Sequence, residues 1–131
     1  MHNSKIKKKI ITLIGPTACN KTSTAVHLIK KFPISIIGVD SVQIYKRFNI
    51  GSAKPPKEIL EKYKHHLVDS ADPENIFSVK DFYDQAYRIV MQAHSNNRIP
   101  LLVGGTMMYF NALFKGINNI PEGNEAIREE L

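Results

Sequence analysis

The chain has 131 residues, 43% of them hydrophobic, and a net charge of +6. That is enough to bury one compact core and too little for two. No apolar run is long enough to span a bilayer, and the single cysteine, Cys19, excludes an internal disulfide and a thiolate-rich metal site.

Residues 1–8 carry Lys5, Lys7 and Lys8 and read as a solvated basic tail. They lack the apolar core and small-residue cleavage site of a signal peptide, so a soluble cytoplasmic protein is expected. The basic balance suits an anionic partner such as RNA, although part of it sits in this tail. A first strand is expected over 9–14, then a glycine-bounded loop over 15–20. A helix over 21–31 should turn Ala25, Leu28 and Ile29 inward and place Lys30 and Lys31 at its negative end. Pro33 blocks continuation. A second strand over 35–39 ends at Asp40. The stretch 41–56 is irregular, with Gly51 and the Pro55-Pro56 pair as breakers. A short helix is expected over 58–64, and 65–69 forms a short strand or an ordered loop.

The clearest helix begins at Ser78, which has capping-box spacing to Asp81. Val79, Phe82, Tyr83, Ala86, Val90 and Ala93 follow at helical spacing, and the helix ends near Ser95-Asn96-Asn97. Leu101-Leu102-Val103 forms a third buried strand that stops at Gly104-Gly105. Another helix opens around Thr106 and carries Met108, Phe110, Leu113 and Phe114. Beyond Gly116 the chain is polar, until 127–131 reads as a helix just beginning. Strands that alternate with helices in this way indicate βαβ units, hence an α/β fold around a parallel sheet.

Gly15-Pro16-Thr17-Ala18-Cys19-Asn20-Lys21-Thr22 lies between a strand and a helix. That is the setting of a phosphate-binding loop of the form G-x-x-x-x-G-K-[ST]. Main-chain N–H groups would curl around a phosphate and the helix N-terminus would add its positive end. Lys21 would reach the terminal phosphate, and Thr22 would put its hydroxyl on Mg²⁺. Asn20 stands where the pattern has glycine. A positive φ there is tolerated by asparagine at a cost of about 1 kcal/mol.

Asp40 ends a strand, and ligands of open α/β sheets bind at the strands' carboxyl ends. It is either a general base or water-mediated metal holder, or a turn aspartate. Gly104-Gly105 lets the backbone approach a ligand closely. Thr106 either binds substrate or caps its helix. His65-His66 lacks companions at a zinc-ligand spacing. Tyr83, Tyr87 and Met91 share one helix and read as packing residues.

Several segments together resemble one family. The loop 15–22, Asp40-Ser41-Val42-Gln43-Ile44-Tyr45, Asn49-Ile50-Gly51-Ser52-Ala53-Lys54-Pro55, His65-His66-Leu67-Val68-Asp69 and Pro100-Leu101-Leu102-Val103-Gly104-Gly105-Thr106-Met107-Met108-Tyr109 are similar, in order and spacing, to the motifs of tRNA dimethylallyltransferases. Ser52 replaces the family's threonine. The resemblance implies a P-loop NTPase-like parallel sheet flanked by helices, cut short here. Its units would be a tail 1–8, a core 9–116 and, over 117–131, the start of a helical tRNA-binding insertion.

The implied reaction transfers a dimethylallyl group from dimethylallyl diphosphate to the N6 amine of the adenosine 3′-adjacent to the anticodon. By resemblance Asp40 is the general base, the loop holds the donor's diphosphate with Mg²⁺, and Thr106 joins Asp40 in catalysis. Residues 40–43 (Asp40, Ser41, Val42, Gln43), Thr106 and Arg128 would contact tRNA. The partners expected are the anticodon stem-loop and the donor, with no membrane and a monomeric protein. Family members continue beyond this length, so a chain ending at Leu131 is expected to transfer little or no prenyl group. Alternatives are a P-loop nucleoside or nucleotide kinase, a prenyltransferase of free adenine nucleotides, and a non-catalytic remnant that binds diphosphate or RNA.

Overall fold

The structure is a computed structural model and describes residues 9–15, 21–47 and 54–118. The elements run β1 (Ile11–Ile14), α1 (Lys21–Lys31), β2 (Ile34–Val39), α2 (Lys57–Lys62), β3 (His65–His66), α3 (Val79–Ser95), β4 (Ile99–Gly104) and α4 (Met107–Asn118). The strands form one sheet in the order β1-β4-β2-β3, with every pairing parallel. Among the described residues no helix is long and apolar enough to cross a membrane.

Alternation along the central strands sorts the core into two layers. Ile34, Ile36 and Leu101 face Ala25 of α1, with Leu28 and Ile29 packed alongside. Ile37, Val39 and Leu102 face the other way, onto Phe82, Ala86 and Val90 of α3 and Phe110 and Leu113 of α4. A strand covered on both faces must be apolar throughout, and β2 (Ile34–Val39) is almost entirely buried. β1 is an edge strand in this sheet, and Ile11 and Ile14 are exposed.

Helix ends follow local chemistry. At α3, Ser78 accepts from the Asp81 N–H while the Asp81 carboxylate accepts from the Ser78 N–H. Such a cap contributes about 1 kcal/mol. Burial of a side chain such as Phe82, which is 0% exposed and stacked on Tyr109 with centroids 4.2 Å apart, contributes about 1.5–3 kcal/mol. The cap therefore sets where α3 starts, and packing sets that it exists. At its far end Asn97 takes φ 59°, and the N–H groups of Asn97 and Arg98 return to the His94 and Ala93 carbonyls. Tyr83, Tyr87 and Met91 pack against the core from this helix.

Element boundaries differ slightly from expectation. β1 starts at Ile11 rather than at residue 9, because pairing begins at Ile11↔Leu101. Pro100, one position earlier, has no N–H to offer. The expected helix over 58–64 is α2 (Lys57–Lys62), ended by an extended Tyr63 whose carbonyl accepts from His65 Nδ1. Met108 is 65% exposed, while its neighbours Tyr109 and Phe110 supply the buried face of α4. Gly116 is where α4 lies on the Tyr83 ring: a Cβ there would come within 2.1 Å of it.

His65 and His66 hold pKa values below the ordinary 6.5. Burial is the main cause for both, and the charges of Lys64, His65 and Arg98 add to it at His66. Among the described residues His65 Nε2 is buried without a partner. The unfolded chain therefore takes up protons at these sites more readily than the folded one. Stability should be intact above about pH 6.5 and fall as pH drops through the window below it. Urea midpoints at about pH 7.5 and about pH 5.5 check this: the wild type should lose stability across the interval, and His65→Gln should lose less.

Candidate functional site

The carboxyl ends of β1, β4 and β2 open onto one cavity of ≈ 520 Å³. Gly15, Lys21 and Thr22 line one side. Asp40, Ser41, Val42 and Gln43 line another, and Gly104, Gly105 and Thr106 form the floor between them. Residues named from three separate stretches of sequence thus converge. Pro16, Thr17, Ala18, Cys19 and Asn20, the rest of the phosphate loop, and Arg128 lie outside the described residues.

Lys21 opens α1 and its ammonium donates to the Gly15 carbonyl at 2.7 Å, folding the side chain back over the start of the loop. Asp40 follows the last residue of β2. Its Oδ1 accepts from the Val42 N–H at 2.8 Å and the Gln43 N–H at 2.9 Å. The turn role is thus observed. It occupies Oδ1, and Oδ2 makes no hydrogen bond to a described residue. The carboxylate is locked in orientation with one oxygen left for other work.

Thr106 precedes α4, and its carbonyl accepts from the Tyr109 and Phe110 N–H groups. Its hydroxyl reaches the turn after β2: Oγ1 accepts from the Ser41 N–H at 2.9 Å and lies 3.4 Å from Ser41 Oγ. This contact ties the entry to α4 to the turn after β2, across 65 residues of sequence.

The glycine pair serves the sheet. A Cβ on Gly104 would lie 2.0 Å from the Val39 carbonyl oxygen and 2.5 Å from its carbon, and one on Gly105 would lie 3.1 Å from the Gly15 carbonyl. Gly104 thus closely approaches the neighbouring strand, and both glycines also line the cavity. Beneath the site Tyr109 is buried, and burial, reinforced by Tyr45 and by the carboxylates of Asp40 and Asp81, pushes its phenol pKa up.

Met107 is a lining residue that motif reading missed. It is 49% exposed and Val42 is 47% exposed, and with Ile14 and Val103 they give the cavity apolar as well as polar lining. The available signal was position: Met107 directly follows Thr106 in the first turn of a helix aimed at the site.

The IPP transferase family model matches residues 43–131. The tRNA dimethylallyltransferase of Dichelobacter nodosus is 44% identical over 122 residues, which is 93% of this chain and 38% of that protein. The solved structure of full-length tRNA isopentenylpyrophosphate transferase from Bacillus halodurans matches with a TM-score of 0.78 and 40% identity, over 95% of this chain and 41% of that one. A eukaryotic dimethylallyltransferase captured acting on tRNA matches with a TM-score of 0.77 and 26% identity, over 92% of this chain and 31% of that one. The chain spans at most 41% of the length of these relatives.

Removing the Thr106 hydroxyl should loosen the turn after β2 without emptying the core. Thr106→Val should lower protection of the Ser41 amide in native-state hydrogen exchange by about tenfold, while Thr106→Ser keeps it near wild type. Gly104→Ala, in contrast, should lower the stability of the whole chain, since its methyl meets main chain that cannot yield.

Proposed function

The chain belongs to the IPP transferase family, and on that premise we propose that its cavity binds dimethylallyl diphosphate for transfer of the dimethylallyl group to tRNA. The acceptor is the N6 amine of the adenosine 3′-adjacent to the anticodon, and the partner is the anticodon stem-loop. The protein would act as a cytoplasmic monomer. The observation that supports this reading is that Lys21 and Asp40 line one cavity. A cationic phosphate ligand and a carboxylate then face the same reacting atoms.

In this reading the loop beginning at Gly15 cradles the diphosphate and Lys21 leaves the Gly15 carbonyl to neutralise it. The adenosine N6 lone pair attacks the allylic carbon of the donor. The carbon–oxygen bond breaks and its electron pair departs with pyrophosphate. The N6 proton passes to Asp40 Oδ2, while Oδ1 stays bound to the Val42 and Gln43 amides and fixes the direction of transfer. The base must leave its stack to reach this carboxylate, and residues 40–43 form the wall it would meet. Thr106 keeps that wall in place through Ser41 and, lining the same cavity, would contact the acceptor. Val42 and Met107 offer apolar surface to the prenyl tail.

Thr22 and Asp40 present hydroxyl and carboxylate oxygens to the cavity, the donor type that a hard divalent cation takes. Mg²⁺ held by Thr22 and the diphosphate would supply charge neutralisation for the leaving group.

Calorimetric titration with dimethylallyl diphosphate tests the reading. Lys21→Ala should weaken binding by about 10–100-fold, the worth of a hydrogen bond to a charged group, while Asp40→Asn should bind the donor within about threefold of wild type. In a full-length protein carrying Asp40→Asn, the rate of transfer should fall by about 10²–10⁴-fold. Unchanged donor affinity in Lys21→Ala would remove the basis for the proposal.

A further inference from the structure

A second cavity, ≈ 650 Å³, lies beside the first and is unaccounted for by the chemistry above. Lys46, Arg47, Lys54, Lys57, Leu60 and Asp69 are among the residues that line it. Lys46, Arg47 and Lys57 are exposed. Lys54 is not: its side chain is 4% exposed, and its ammonium is held by Asp69 Oδ1 at 3.0 Å and the Tyr45 carbonyl at 2.7 Å. The carboxylate in this cavity is thereby neutralised by a buried lysine. Among the described residues no carboxylate pairs with the outer cations, so the mouth is positive.

The two cavities are lined by successive parts of one segment. Residues 40–43 line the first and Lys46 and Arg47 line the second. From Gln43 to Lys46 the chain can extend no more than about 11 Å. The segment is pinned to the turn after β3 by the Asp69 N–H to the Gln43 carbonyl, the Ser70 N–H to the Ile44 carbonyl and the Lys46 N–H to the Ala71 carbonyl. β2 and β3 are parallel, so both cavities sit at carboxyl ends of the sheet. A strand of RNA with one base in the first cavity would carry its neighbouring phosphates across this rim.

We propose that Lys46, Arg47 and Lys57 form a seat for the sugar–phosphate backbone of the RNA flanking the modified base, resting on the reading of the first cavity given above. Contacts of this kind position an RNA without reading its sequence. The basic charge of the chain is therefore not only a matter of its lysine-rich start.

Fluorescence anisotropy of a labelled anticodon stem-loop RNA, titrated at several salt concentrations, tests this. The variant K46A/R47A/K57A should lose about 2 from the log–log salt slope and bind about a hundredfold more weakly at about 0.1 M salt. Its affinity for dimethylallyl diphosphate should stay within about twofold of wild type, since the donor occupies the other cavity. The charge-preserving variant K46R/R47K/K57R should bind the RNA like wild type. The seat is refuted if the alanine variant keeps wild-type RNA affinity and slope, if the wild-type chain binds no RNA, or if the charge-preserving variant loses as much as the alanine one. Adenosine monophosphate binding that disappears in the alanine variant while RNA binding persists would mean a free-phosphate site and would equally overturn it. Failure of the donor-site reading is distinguishable, because it appears as unchanged diphosphate affinity in Lys21→Ala.

Discussion

Gly104 approaches the main chain of Val39 so closely that no side chain fits between them. The contact joins the last residues of the two central strands, β2 and β4. From it the strand ends are drawn together: the Thr106 N–H reaches the Val39 carbonyl at 3.2 Å, and the Gly15 N–H reaches the Gly104 carbonyl at 3.3 Å. The loop after β1, the turn after β2 and the entry to α4 therefore emerge side by side. A cavity walled by all of them follows from this packing. Closely packed interiors transmit such constraints because they cannot yield by small amounts.

Within that frame, side chains that line the cavity also hold its surroundings in place. Asp40 gives Oδ1 to two amides of its own turn and keeps Oδ2. Thr106 gives its hydroxyl to Ser41 while still lining the cavity. Lys54 and Asp69, which belong to two different sequence motifs, meet in an ion pair between a buried lysine and a half-exposed aspartate, which ties residues around the second cavity to the turn after β3. Removing Asp69 would take the opposite charge away from an ammonium whose side chain is 4% exposed, and that costs more than the pair itself contributes. The pair thus fixes a local geometry more than it stabilises the chain.

Much of this was legible from residue patterns, and the exceptions have physical reasons. The span of α1 (Lys21–Lys31) was readable because Lys21 follows the loop directly and Pro33 forbids extension. The start of α3 was readable from Ser78 and Asp81, whose reciprocal hydrogen bonds are local. Asp40 was placed at the end of an apolar strand, and the choice between turn and chemistry could not be made, since hydrogen bonds to Val42 and Gln43 depend on a turn that no periodicity encodes. The close contact of Gly104 with Val39 was not readable because strand order is a long-range property: β4 lies between β1 and β2, and only that order sets Gly104 against Val39. The second cavity was invisible for the same reason. Lys46, Lys57 and Asp69 belong to no common motif and meet only because β3 pairs with β2.

The proposed function depends on a diphosphate held at Lys21 in the cavity that Asp40 also lines. Amide chemical-shift mapping of the isotopically labelled chain during titration with dimethylallyl diphosphate reads this directly. The account predicts that Gly15, Lys21, Thr22, residues 40–43 and Thr106 shift together on a single binding curve. Shifts confined to the surroundings of Lys46 and Lys57, or to the exposed edge of β1, with Lys21 and Asp40 unmoved, would contradict it.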